Sequence, residues 1–307
     1  MKPKKLKKGD TIGIICPAFS ISSKSKRIPI LEEYLTELGL NIRYGKSFGA
    51  SYGYLAGDDR LRVKDLEEMF LDSEINGIIC MLGGYGTTRI VDKIDYRKIA
   101  AYPKLFVGFS DITVLLNAIY HYAGVPTVHG ALGVYLGNPD FDDYSRRDFK
   151  TMIFHNQKGR VLKNPKDTAE TVVSGMARGV LVGGNLSLIV ALVGTPYDID
   201  FTDKIVFIED VDEKPYRIDR YLSTLRLSGK LDQARAFVFG TFSNCDDVES
   251  VWKCRDIIGE YMAACGKPAI FNFDSGHSFP FINIPIGLEV EFDADARELI
   301  LGEELYC

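Results

Sequence analysis

Short apolar runs alternate with amphipathic helical stretches through the first half of the chain, and this alternation restricts the fold more than any other feature. The runs TIGIIC, NGIICML, KLFVGF and TVHGA have the length and side chains of strands. Between them, DDRLRVKDLEEMFLDS sets Leu61, Leu66, Met69 and Phe70 at helical spacing behind an Asp58-Asp59 start, with charged residues on the other face. DITVLLNAIYHYAG predicts a buried helix, closed by Gly124 and followed by Pro126. Strand and helix in this alternation indicate an α/β unit with a mainly parallel sheet.

A polar stretch, NQKGRVLKNPKDTAETVVS, interrupts the pattern without periodicity of its own. It divides the chain into an expected N-terminal domain over 1–155, a linker over 156–174 and a C-terminal domain over 175–307. Beyond it, RGVLVGG, KIVFIED, ARAFVFGTF and KPAIFNF read as strands, and GLEVEFDADARELILG alternates like a hairpin. PYRIDRYLSTLRLSG and DVESVWKCRDIIGEYMAACG read as helices, the second carrying the lone Trp252 in an expected packing role. A chain of 307 residues accommodates two domains of ordinary size.

Composition excludes several classes of partner. A net charge of -5 with 46% hydrophobic and 26% charged residues describes a soluble globular protein without bias toward nucleic acid or membrane surfaces. The six cysteines are scattered, with no C-x-x-C pair and no histidine at ligand spacing. Neither a disulfide framework nor a metal site is expected, and free thiols fit the cytoplasm. The lysines before Thr11–Cys16 imitate a signal peptide, but the apolar run is too short, Pro17 ends it and no small-residue cleavage site follows.

The chemistry concentrates in a few loops. LFVGFSDIT runs strand, Gly-x-Ser, helix start, the layout of a nucleophile elbow at Ser110, although the second glycine of G-x-S-x-G is missing. A plain helix N-cap is the structural alternative for Ser110. LGGYGTTR ends another strand with three glycines whose backbone N–H groups suit an anion or oxyanion. It lacks a Walker lysine and the G-x-G-x-x-G spacing, so no nucleotide cofactor is indicated.

A hydroxyl nucleophile needs a base, and the chain has four histidines. His121 lies within a helix and His155 at the end of another, while His129 follows a strand and has a structural reading as good as a functional one. His277, in the glycine-flanked loop SGHSFP, suits a base carried to a cleft. Glu209 terminates the apolar strand IVFIE, where an acid needs a partner; capping an edge or pairing with Arg217 or Arg220 is the alternative. The adjacent Asp210 is expected to point to the opposite face.

Taken together, YLAGDDRLRVKDL, GGYGTTRIV, GFSDITVLLNAI, VHGAL, GGNLSLIVALVGTPYDID, IVFIEDVDEKPYRIDRYLSTLRLSGKL and GHSFPFINIPIG resemble the LD-carboxypeptidase family of serine peptidases. The resemblance runs over nearly the whole chain in order. It implies a flavodoxin-like N-terminal α/β domain with a parallel sheet, a smaller C-terminal α/β domain, an active site at their junction and a homodimer. It further implies Ser110 as nucleophile, Glu209 as the orienting acid and His277 as base, without metal or cofactor. The implied reaction releases terminal D-alanine from the murein tetrapeptide, cutting an L-to-D bond during cell-wall recycling. The chain departs from the family at Leu82, where many members carry arginine before GGYG.

The mechanism expected on this basis is acyl transfer, with backbone N–H groups of Gly84 and Asp111 as oxyanion donors. With Leu82 in place of arginine, Arg89 is the candidate cation for the substrate carboxylate. Two other readings stand beside it: a microcin-immunity-like amidase acting on acyl-aminoacyl nucleotides, and a non-catalytic module that binds small anions.

Overall fold

The computed structural model describes residues 1–247 and 251–307. They divide into two units. The first comprises Met1–Asn156 with two returning pieces, Asn283–Ile286 and Leu305–Cys307. Its sheet runs, in spatial order, Ile284–Ile286, Thr127–His129, Leu105–Gly108, Gly77–Cys80, Thr11–Ile15 and Asn41–Tyr44. Strands two to six of that order are mutually parallel, and Ile284–Ile286 adds to the edge antiparallel. Taken by chain position, the parallel part has the flavodoxin-type order 2-1-3-4-5, which places loops for ligand chemistry at the carboxyl ends of its strands. Both the glycine turn and Ser110 follow such ends, after Gly77–Cys80 and Leu105–Gly108 respectively.

The helix Asp59–Leu71 forms as expected, with the Asp58 side chain accepting from the Leu61 N–H. Its charged residues are not all solvated, however. Arg62 is 1% exposed and Asp65 2% exposed, because each is consumed by backbone groups of neighbouring loops. The buried helix after Ser110 starts as a 3-10 turn, continues as α-helix over Thr113–Ala118 and widens to π-helix over Ile119–Ala123. Gly124 closes it in the left-handed conformation.

The second unit comprises Gln157–Ile282 and Gly287–Glu304. Four parallel strands, Met176–Asn185, Lys204–Val211, Ala236–Ser243 and Ala269–Phe271, form its centre. The hairpin Glu289–Asp293 with Glu298–Leu301 extends one side antiparallel. The segment 156–174 is not a linker: Val161–Leu162 pairs with Glu298–Leu301, and Glu170–Val173 pairs with Ala269–Phe271, as the two edges of this sheet. Edge strands have one neighbour and one wet face, so their sequence carries little apolar signal. Nor does the C-terminal domain run unbroken over 175–307, since two short pieces return to the first unit.

The helix expected to start near Asp247 starts at Cys254. Positions 248–250 of that expectation lie outside the described residues. Trp252 precedes the helix and is exposed, which corrects its expected packing role.

Candidate functional site

Ser110 occupies the turn between strand Leu105–Gly108 and the helix that follows, with φ +63°. A non-glycine residue reaches this left-handed region at a cost, and such strain gathers at functional turns. An N-cap serine has extended backbone, so the left-handed φ disfavours the plain capping alternative. The hydroxyl lies against the glycine turn, since a Cβ added at Gly83 would stand 3.0 Å from Ser110 Cβ and 3.1 Å from its Oγ. A side chain at Gly83 would press on the serine.

The turn and the elbow are tied together through Thr87 and Arg62, which the sequence did not single out. The Thr87 N–H donates to an Asp111 carboxylate oxygen at 2.9 Å, and Thr87 Oγ1 donates to the Asp111 carbonyl at 2.6 Å. Burial raises the Asp111 carboxyl above the ordinary carboxylate range, with the Thr87 bonds acting against the rise. Arg62 secures the other side, donating from Nη1 to the carbonyls of Pro17 at 2.7 Å and Gly86 at 2.8 Å. Gly84 has φ +101°, and its N–H makes no backbone hydrogen bond among the described residues. The Asp111 N–H sits in the first turn after the serine, where no intrahelical acceptor exists. Arg89 is already engaged: its Nε and Nη2 donate to the two Asp59 oxygens at 3.0 and 3.3 Å. Asp59 also accepts from Arg62 and Lys93.

In the second unit, Glu209 is fully buried near the end of strand Lys204–Val211. Its Oε2 lies 2.8 Å from His277 Nδ1, which satisfies the need for a partner without Arg217 or Arg220. Arg217 instead pairs with Glu213. Burial alone would lower the His277 pKa; the Glu209 charge and hydrogen bond, backed by Asp210 and Asp212, outweigh it and hold the imidazole above its ordinary value. Of the other histidines, His121 and His155 are exposed, and His129 is buried with its ring 5.4 Å from that of Phe109.

Glycine precedes His277 for a steric reason. Gly276 has φ +135°, and a Cβ there would stand 2.5 Å from Thr241 Oγ1 and 3.0 Å from Glu209 Oε2. The loop therefore passes directly over the carboxylate it serves. Gly276→Ala is expected to destabilise the protein by about 2 kcal/mol or more and to lower activity with it, from backbone strain and overpacking together. Urea unfolding and a turnover assay check this; wild-type values in both would show that the loop has room.

Asp210 does not escape to an open face. It is 2% exposed, because the turn that begins at Asn185 covers it: the Asn185 Nδ2 donates to Asp210 Oδ1 at 2.9 Å and the Ser187 N–H to Oδ2 at 3.0 Å. The motif GGNLS was the available signal, an asparagine placed to cap a helix directly after two glycines.

Comparison with known proteins covers both units. Residues 12–130 match the LD-carboxypeptidase N-terminal domain and residues 178–292 the LD-carboxypeptidase C-terminal domain. The chain is 39% identical over 303 residues to a probable murein peptide carboxypeptidase of Bacillus subtilis (strain 168), covering 98% of this chain and 94% of that protein. It is 31% identical over 275 residues to the murein tetrapeptide carboxypeptidase of Pseudomonas aeruginosa, covering 87% of each. The crystal structure of an MccF-like protein from Bacillus anthracis str. Ames has TM-score 0.87 and 28% identity, covering 98% of this chain and 99% of that one. The α/β architecture of each unit, the matches to both domains and the level of identity agree: the chain belongs to the LD-carboxypeptidase family of serine peptidases.

Proposed function

We propose that this hydrolase removes terminal D-alanine from murein tetrapeptides, with Ser110 as nucleophile, His277 as general base and Glu209 as the acid that orients it. The observation that carries this reading is the 2.8 Å bond between Glu209 Oε2 and His277 Nδ1. With Nδ1 committed, Nε2 is the nitrogen that takes the Ser110 proton as Oγ attacks the carbonyl preceding D-alanine. The N–H groups of Gly84 and Asp111 receive the oxyanion. His277 then protonates the leaving amine, and water, deprotonated by the same imidazole, hydrolyses the acyl-enzyme. Arg89 meets the substrate carboxylate by exchanging Asp59, which keeps Arg62 and Lys93 as partners.

The same proposal places a homodimer in the cytoplasm. Its support is the set of free cysteines and the family resemblance. One observation favours the second reading, an amidase of acyl-aminoacyl nucleotides. Tyr54 and Tyr85, the latter within the glycine turn, are exposed with ring centroids 5.9 Å apart and planes tilted by 60°, and they offer aromatic faces of the kind bases stack on.

Product mass spectrometry on the tetrapeptide acid, its C-terminal amide, the all-L peptide and an aminoacyl nucleotide tests both. Release of D-alanine from the acid is expected at a kcat/KM about 10²-fold or more above the amide and the all-L peptide, because an unpaired carboxylate site or a wrong centre costs several kcal/mol. Equal rates on acid and amide refute the carboxypeptidase reading. Cleavage of the nucleotide alone selects the second.

A further inference from the structure

Strand Lys204–Val211 carries two consecutive buried acids, and only Glu209 has a task in the proposed reaction. Neighbouring carboxylates away from water raise each other's cost of ionisation, so a second one persists where donors offset that cost. Asp210 has such donors in Asn185 Nδ2 at 2.9 Å, the Ser187 N–H at 3.0 Å and the Val211 N–H at 2.9 Å. Asn185 is the link between the two acids, because the same Nδ2 donates to Glu209 Oε1 at 3.3 Å. Its Oδ1 accepts from Ser187 Oγ at 2.6 Å and from the Leu188 N–H at 3.3 Å, as cap of the helix Leu186–Ala191. Those two bonds fix which end of the amide faces the carboxylates.

We propose that Asp210 is a positioning residue for the Glu209–His277 pair: it holds the Asn185 amide on Glu209 Oε1, leaves Oε2 to His277 Nδ1, and adds a second negative charge behind the imidazole. The proposal deepens the reading of Ser110, Glu209 and His277 as the catalytic groups and rests on it. His277 senses Glu209, Asp210 and Asp212, while Asp210 senses Glu209 and lies near Tyr221. Burial, then the Glu209 charge, push the Asp210 carboxyl up to about 7, with the bonds from Val211, Asn185 and Ser187 acting against the rise. His277 feels the Asp210 charge, so removing that charge lowers the pH at which the imidazole gives up its proton.

The test uses Asp210→Asn, which removes the charge and keeps the size, and Asn185→Ser, which keeps the helix cap and cuts the bridge. Two readouts are followed against pH: the His277 ring-proton resonance and the rate of Ser110 labelling by a fluorophosphonate. In Asp210→Asn, the His277 titration and the acid limb of labelling are expected to move to lower pH by about half a pH unit or more. In Asn185→Ser, kcat is expected to fall about tenfold with KM changed less than about twofold. An unmoved His277 titration in folded Asp210→Asn overturns the proposal, and if that variant does not fold, wild-type kcat in Asn185→Ser overturns it instead. Failure of the underlying reading is separately visible, as wild-type labelling in His277→Ala and Glu209→Gln.

Discussion

Ser110→Ala is expected to lower kcat by about 10³-fold or more while the protein still folds, because the substitution deletes the attacking oxygen and leaves the backbone requirement of the turn unchanged. Ser110 has φ +63°, so the turn already carries a side chain in the left-handed region. Alanine meets the same strain as serine. Ser110→Gly does not, and it separates the two roles of the position: it is expected to be as inactive as the alanine variant but more stable, by about 1 kcal/mol, or a few degrees in Tm. Steady-state turnover and thermal unfolding of both variants check this. Near-normal kcat in the alanine variant would remove Ser110 as nucleophile. A glycine variant less stable than wild type would mean that the hydroxyl supports the turn and that the strain is offset locally.

What the sequence revealed about this site follows from how local each feature is. The elbow at Ser110 and the glycines at 83, 84 and 86 were readable because strand, glycine and serine are contiguous, and each follows a strand of the 2-1-3-4-5 sheet. Glu209 was readable because an acid among IVFI needs a partner, with edge capping or a pairing to Arg217 or Arg220 as the alternative. The contacts that lock these parts are long-range and leave no periodic trace. Arg62 and Asp65 sit among charges on a helix whose polar face looks solvated, yet loops that return over it bury both. Asp210 was assigned to the other face by strand alternation alone, which does not say what covers that face; here the turn at Asn185 does. The edge strands within 156–174 and the returning piece Asn283–Ile286 are too short for a pattern, and pairing, not propensity, makes them strands.

Glu209→Gln is expected to lower kcat by about 10²-fold or more, since the amide still occupies the space but cannot stabilise imidazolium charge. Asp210→Asn should lose less, because it leaves the carboxylate that touches the ring. The pair also predicts a stability signature with a definite sign. His277 is held above its ordinary value in the folded protein, so its contribution to stability is present in full below the unfolded pKa of about 6.5 and is lost as pH rises through the folded value. In Glu209→Gln the largest raising influences are gone, Asp210 and Asp212 remain to oppose burial, and the histidine titrates lower. The stability gap between wild type and Glu209→Gln should therefore be wider near pH 6 than near pH 9, in the window between about those values. His277→Ala is expected to behave differently, costing about 3 kcal/mol near neutral pH, because it takes the imidazole away from a fully buried carboxylate. Urea unfolding of the three proteins at both pH values, with kcat measured alongside, is the check. An identical gap at both pH values would show that His277 carries no charge-dependent link to Glu209 in the folded state, and wild-type kcat in Glu209→Gln would take the orienting role away from Glu209 altogether.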